Sequence, residues 1–221
     1  MTKKKVIFCD FDGTITEKDN IVSIMKEFGG NGWEETVKKV LGGEISIQEG
    51  VGKMFASVPS SKKEEIIRFV LTRSKLRGGF EDIIQYAKNE NIEFYVVSGG
   101  IDFFVYPYLE DYISNDHVYC NGSDFTEETI KITWPNECDE HCENGCGCCK
   151  PSILRKWDSD EFYKIVIGDS ITDVVAAKRA DEVFARDFLI EKCRDLNISF
   201  TPFETFHDII GHLEKKKEAV S

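Results

Sequence analysis

The sequence predicts an α/β protein: a doubly wound parallel sheet with an all-helical cap and a small Cys-rich β-hairpin insert. Three observations predict it. Short apolar runs end in polar, chemistry-capable residues at Asp10, Ser98 and Asp169. After Gly78–Gly79 such runs alternate with helix-patterned segments, as parallel strands joined by crossover helices do. From Thr16 to Ser74 the pattern is helical with no strand between. Together they imply a Rossmann-like core at residues 1–15 and 76–221, with the insert at about 119–149 and the cap at 16–75.

Val6–Asp10 reads as a buried strand leaving the sheet at Gly13. In the cap, Ile21, Ile24, Met25 and Phe28 fall at helical spacing, and Gly29–Gly30 stop that helix. Trp33–Leu41 is a second helix, closed by Gly42–Gly43. Ser46 with Glu49, and Ser61 with Glu64, carry the capping-box spacing that opens two more. Phe80–Asn89 is then a helix, Ile92–Val97 a strand ending at Ser98-Gly99-Gly100, and Ile101–Tyr112 a helix. A short strand at Val118–Cys120 leads into a hairpin pattern over Gly122–Pro135 and the Cys-rich loop, with Trp134 packing the insert. A helix at Ser152–Trp157, a strand at Lys164–Ile167, a helix from Thr172 to Arg179 and a strand near Glu182–Ala185 complete the alternation. Lys215–Lys217 reads as a frayed, solvated helix end.

The chain has 221 residues and a formal charge of −12. Nothing supplies the basic face that nucleic acid requires. No apolar run approaches the roughly 20 residues that span a bilayer, and Val6–Cys9 is too short for a signal-peptide core. A cytoplasmic protein is the expectation. The oligomeric state is not fixed by the sequence.

The chemistry concentrates at three strand ends, where ligands sit in such sheets. In an extended segment Asp10 and Asp12 project together. Two close carboxylates repel unless a cation or proton lies between them, and Mg²⁺ suits carboxylates, water and phosphate oxygens. Asp169 completes such a metal site, with Asp173 nearby on the next helix. Ser98, Gly99 and Gly100 precede a helix start, where backbone amides cradle anions. Lys150, before Pro151, neutralises phosphate charge more readily than its neighbours Lys156 and Lys164. His117, His207 and His212 stand isolated and carry no expected role.

At Asp10-Phe11-Asp12-Gly13-Thr14, Ser98, Lys150 and Gly168–Asp173 the chain resembles the haloacid dehalogenase superfamily of phosphohydrolases over almost its whole length. That resemblance implies an Mg²⁺-dependent phosphomonoesterase acting on a small phosphorylated metabolite. Asp10 would be the nucleophile that forms an aspartyl-phosphate, and Asp12 the acid and base. The Asp10 side chain, the Asp12 carbonyl and Asp169 would hold the metal. Ser98 and the Gly99 amide would hold the phosphoryl group, Lys150 would tie nucleophile to phosphate, and Asp173 would orient the metal's shell. VIFCDFDGTITEKDNI, VVSGGIDFFVYP, CGCCKPS and IGDSITDVVAAK look more narrowly like the phosphatases of methionine salvage. Their substrate has an anionic head and an apolar methylthio tail, which Met25, Phe28, Trp33, Met54 and Phe55 of the cap would receive or simply pack beneath.

Two other readings stay open. A phosphoserine phosphatase, whose cap carries an early acid where Glu17 or Asp19 stands, needs Arg68 or Arg73 to converge on the site. A phospho-accepting signalling domain would leave Asp12 and the cap without a task, and a metal- or thiol-sensing protein would use the Cys loop beside a vestigial phosphatase core. Cys138, Cys142, Cys146, Cys148 and Cys149, with His141, suit free structural thiols, a zinc site or a redox pair.

Overall fold

The computed structural model describes residues 3–219, so the first two and last two residues of the expected core lie outside it. Among the described residues seven strands form one sheet: β1 (Lys4–Cys9), β2 (Glu93–Ile101), β3 (Val118–Asp124), β4 (Lys131–Thr133), β5 (Phe162–Gly168), β6 (Glu182–Ala185) and β7 (Thr201–Pro202). Their order is β4-β3-β2-β1-β5-β6-β7. Only β4 runs antiparallel, to β3, with Gly122 opposite Thr133. β1 is buried on both faces, because Ile7 and Cys9 enter one apolar cluster and Val6 and Phe8 the other. It lies between β2 and β5, so the chain switches sides of the sheet there and the carboxyl ends of all three strands adjoin.

The helices are α1 (Asn20–Phe28), α2 (Trp33–Leu41), α3 (Ile47–Phe55), α4 (Lys63–Arg73), α5 (Phe80–Asn89), α6 (Asp102–Leu109), α7 (Lys150–Leu154), α8 (Val174–Ala177), α9 (Asp187–Asp195) and α10 (Phe206–Glu218). None is long and apolar enough to cross a membrane. α1 to α4 follow one another between β1 and α5 without a strand. Ser46 caps α3, accepting the Glu49 amide at 3.1 Å. Phe55 on α3 is fully buried and meets Phe103 of α6 edge-on at 6.2 Å, tying these helices to the sheet. Phe55→Ala is therefore expected to lower stability by about 3–5 kcal/mol in denaturant unfolding, as truncated buried aromatics do.

Several local expectations are corrected. Ser61 does not cap α4. Pro59 bridges to Thr129 and the Ser60 amide donates to the Glu128 carbonyl at 2.8 Å, so the chain enters α4 through a 3₁₀ turn at Ser60–Lys62. β2 does not stop at Val97; it runs through Ser98-Gly99-Gly100 to Ile101, with a register shift after Val97. α6 is shorter than the apolar run implied, and β3 is longer. α7 begins at Lys150 rather than Ser152, with Pro151 in its first turn. The expected helix from Thr172 is a 3₁₀ turn, Ile171–Asp173, followed by the short α8. The lysine run is not merely solvated: Lys216 donates to Glu182 and Tyr163, and Lys217 to Glu90.

Candidate active site

The chain turns sharply after β1. Asp10 stays extended, its amide donating to the Ile167 carbonyl of β5 at 2.9 Å, and Phe11–Ile15 forms one wide turn. Gly13 makes that turn possible. Its φ is +82°, and a Cβ there would lie 2.3 Å from Asp169 Oδ2. Thr14 Oγ1 donates to Asp169 Oδ1 at 2.7 Å, joining the β1 loop to the β5 loop. Arg77, nearly buried, donates to the carbonyls of Gly13 and Thr14, each at 2.7 Å, and holds the turn from behind.

Asp10, Asp169 and Asp173 each bring a carboxylate oxygen within 4.8 Å of the others. Lys150 Nζ lies 2.7 Å from Asp10 Oδ1 and 2.6 Å from Asp173 Oδ1. The other Asp173 oxygen accepts from the Asp169 and Ser170 amides at 3.1 and 3.0 Å. Asp173 is thus saturated by protein donors and acts on the arrangement by fixing Lys150 and the β5 loop. Three carboxylates against one ammonium leave two negative charges unbalanced.

The electrostatics follow from that imbalance. Burial, then the Asp173 charge, pushes the Asp10 carboxyl up to about 7, with Lys150 opposing. Burial, then Asp10 and Asp173, pushes Asp169 up to about 9. Burial works against the Lys150 charge, but Asp10 and Asp173 outweigh it and hold its pKa above the ordinary lysine value. Asp12 faces the same cleft yet stands apart from the three acids. Its Oδ1 accepts from the Asn20 amide at 3.0 Å and from Asn20 Nδ2 at 2.6 Å. Burial and the Asp19 charge raise its pKa well above the usual carboxylate range, with the Asn20 amide opposing.

A cleft of about 430 Å³ opens over these groups. Its lining takes Asp10, Asp12, Gly99 and Asp169 from the strand ends, Glu17, Lys18 and Asp19 from the segment before α1, and Ile21, Val22, Val37, Val40, Val51 and Met54 from α1 to α3. Ser98 and Lys150 do not line it. Ser98 is fully buried, its Oγ accepting the Gly100 amide at 2.8 Å, and Lys150 is only 4% exposed and sits against Asp10. Of the three residues expected to touch phosphate, only Gly99 reaches the cleft surface. β2 continues through this segment, but its pairing with β3 skips from Val97 to Ile101, so Gly99 lies in an irregular stretch just before α6 and lines the cleft.

A family model described as haloacid dehalogenase-like hydrolase matches residues 7–178. The chain belongs to the haloacid dehalogenase-like hydrolases. This hydrolase is 55% identical over 220 residues, covering 100% of both chains, to a protein of Geobacillus kaustophilus named 2-hydroxy-3-keto-5-methylthiopentenyl-1-phosphate phosphatase. It is 54% identical, over 97% of this chain and 98% of the other, to a protein of that name from Geobacillus thermodenitrificans. Its fold matches a solved phospho-aspartyl intermediate analogue of phosphoserine phosphatase with a TM-score of 0.70 at 22% identity, covering 96% of this chain and 99% of that one.

Sequence reasoning missed the groups that hold the hydrolase's acids in place. Thr14 and Asn20 are ordinary loop and helix-start residues by type, and a buried Arg77 is indistinguishable in sequence from a solvated one. Their only signal is adjacency to the Asp10–Thr14 segment, which Arg77 lacks. The other two candidate lysines have partners elsewhere: Lys164 donates to Ser159 and Lys156 lies over Tyr119. The imidazoles are not isolated, since His207 meets Asp82 and His212 meets Glu182.

Proposed function

We propose that this hydrolase is an Mg²⁺-dependent phosphomonoesterase that dephosphorylates 2-hydroxy-3-keto-5-methylthiopentenyl-1-phosphate, a methylthio-bearing intermediate of methionine salvage. The product is the acireductone 1,2-dihydroxy-3-keto-5-methylthiopentene. The reaction belongs in the cytoplasm, where a free phosphometabolite is met. The observation that carries the reading is the mixed lining of the cleft, which joins Asp10, Asp12 and Asp169 with branched aliphatics and Met54 of α1 to α3. That lining suits a substrate with a phosphate head and an apolar tail. Of the five cap residues expected either to receive the tail or simply to pack the cap, Met54 lines the cleft; Met25 and Phe55 are fully buried, Phe28 packs on Phe69, and Trp33 packs against the core cluster.

In this proposal residues 16–75 act as a cap over the remaining core. Asp10 Oδ attacks phosphorus, the P–O ester bond breaks, and the protonated Asp12 gives its proton to the departing enol oxygen. A water then attacks the phosphorus of the aspartyl-phosphate, Asp12 takes its proton, and phosphate leaves with Asp10 restored. Lys150 holds Asp10 in its reactive rotamer and favours its anionic form. The Gly99 amide faces the phosphoryl oxygens, Ser98 supports that strand, and Asp173 positions Lys150. Asp10 and Asp169, with the Asp12 carbonyl, would hold the divalent ion. Their hard oxygens and unbalanced charge suit Mg²⁺, which when bound neutralises phosphoryl charge.

The cation has a measurable consequence. In the metal-free folded chain Asp169 keeps its proton up to about 9, whereas an unfolded aspartate releases it near 3.8. The folded state binds more protons between those values, so metal-free stability falls as pH rises through that window. Mg²⁺ at about 100 times its Kd adds about 2.7 kcal/mol, or about 5–10 °C in Tm for a chain of this size. Differential scanning fluorimetry should show that shift at pH 8, a smaller one at pH 6 where protons compete, and none in Asp169→Asn.

Phosphoserine is disfavoured by the cap arginines. Arg68 Nε donates to a carbonyl of its own helix, Arg73 lies over Phe69, and neither lines the cleft. Phosphate release from the methylthio substrate, phosphoserine and simple sugar phosphates, with and without Mg²⁺, tests the reading. The methylthio substrate should give the highest kcat/KM. A preference for phosphoserine would overturn it.

A further inference from the structure

The loop between β4 and α7 gathers cysteines that the hydrolytic chemistry does not use. Cys138, Cys142, Cys146 and Cys149 each place Sγ within 4.8 Å of the other three. Cys142 Sγ and Cys146 Sγ are 3.8 Å apart. Ligand atoms around a tetrahedral zinc with Zn–S of about 2.3 Å are separated by about 3.8 Å. We propose that these four thiolates bind one zinc ion in a closed, structural site, separate from the carboxylate site.

The loop is built for such a site. Its spacing hides a Cys-x₂-Cys pair, Cys146 and Cys149, because Cys148 stands between them. Cys148 turns the other way, into the apolar cluster with Val97, Ile153 and Leu154. Gly147, at φ +76°, supplies the backbone reversal that separates the two directions. His141 is exposed beside Glu140 and is not a fifth ligand. Ser152 Oγ donates to Cys149 Sγ at 2.9 Å while accepting from the Asp139 amide at 3.0 Å and Arg155 at 3.1 Å. Such donors orient and tune thiolate ligands. Soft sulfur selects zinc, whereas the hard oxygens of Asp10 and Asp169 select Mg²⁺.

The position gives the ion a task. Cys149 immediately precedes Lys150, and its amide donates to the Asn136 carbonyl at 2.8 Å. On the far side of the loop the Gly145 carbonyl accepts from Gln48 of α3 at 2.9 Å. One ion thereby fixes the backbone that presents Lys150 and the contact with the helices above the cleft.

The test uses the full chain purified under reducing conditions. Elemental analysis after dialysis should find one zinc per chain, released when a mercurial titrates the thiols. Cobalt(II) in its place should show sulfur-to-cobalt charge transfer and tetrahedral d–d bands. Cys142→Ser should lose both signals and Cys148→Ser should keep them, while Ser152→Ala should weaken zinc about tenfold in chelator competition. The wild-type cobalt spectrum decides the matter even where Cys142→Ser fails to fold. Substoichiometric zinc without cobalt bands, iron in place of zinc, or two disulfides by intact mass would overturn the proposal.

Discussion

Replacing Asp10 by asparagine is expected to lower phosphate release by at least about 10⁴-fold while leaving the protein folded. The rate falls because the amide oxygen is a poor nucleophile, and losses of this order follow removal of a covalent catalyst. The fold survives for an electrostatic reason. Asp10, Asp169 and Asp173 crowd around a single ammonium, so neutralising Asp10 relieves repulsion, and Asp173 still pairs with Lys150 at 2.6 Å. The metal-free variant should melt no lower than the parent, and its Mg²⁺-induced Tm shift should shrink. Phosphate assay and thermal melting of the same preparation check both halves. Activity within tenfold of the parent would remove Asp10 from the chemistry.

Lys150→Met is expected to damage stability and activity together. Lys150 is buried, and its ammonium is 2.7 Å from Asp10 and 2.6 Å from Asp173. Removing one partner of a buried ion pair leaves uncompensated charge and costs about 3–5 kcal/mol. For a chain of this size that is about 6–20 °C in Tm. Mg²⁺ should restore part of the loss, because its proposed site includes Asp10, one of the two acids left unpaired. The double variant Asp10→Asn with Lys150→Met should be more stable than the sum of the single changes implies, with a coupling of about 0.5–3 kcal/mol. Additive losses would show that the pair does not interact as the distances imply.

Much of this arrangement is legible in the sequence because strand ends are easy to find. Val6–Cys9 and Lys164–Ile167 are apolar runs that stop abruptly at Asp10 and at Gly168–Asp169, and adjacent parallel strands bring those stops together. Helices α1, α2 and α5 are legible for a similar reason, since apolar spacing runs through each and a glycine marks both ends of α2, the end of α1 and the start of α5. What fails is whatever depends on a distant partner. Ser61 has capping-box spacing, but the pull of Glu128 and Thr129 on Ser60 and Pro59 sets the backbone there. That Ser98 and Lys150 sit behind the cleft surface, with Lys150 against Asp10, is likewise set by packing that the local sequence does not show. Arg77 acts across 63 residues on the carbonyls of one turn, which no local pattern records. The cysteine loop hid its pair behind a third thiol whose direction only the folded backbone decides.

Everything in the proposed reaction passes through a covalent bond between Asp10 and phosphorus. Acid-quenching the enzyme during turnover and reducing it with borohydride tests that bond directly, because an aspartyl-phosphate is converted to homoserine and a free carboxylate is not. Peptide mass spectrometry should find homoserine at position 10, dependent on substrate and Mg²⁺, and none in Asp10→Asn. Unmodified Asp10 in an actively turning-over sample, together with inverted stereochemistry at phosphorus, would mean that water attacks the ester in a single step.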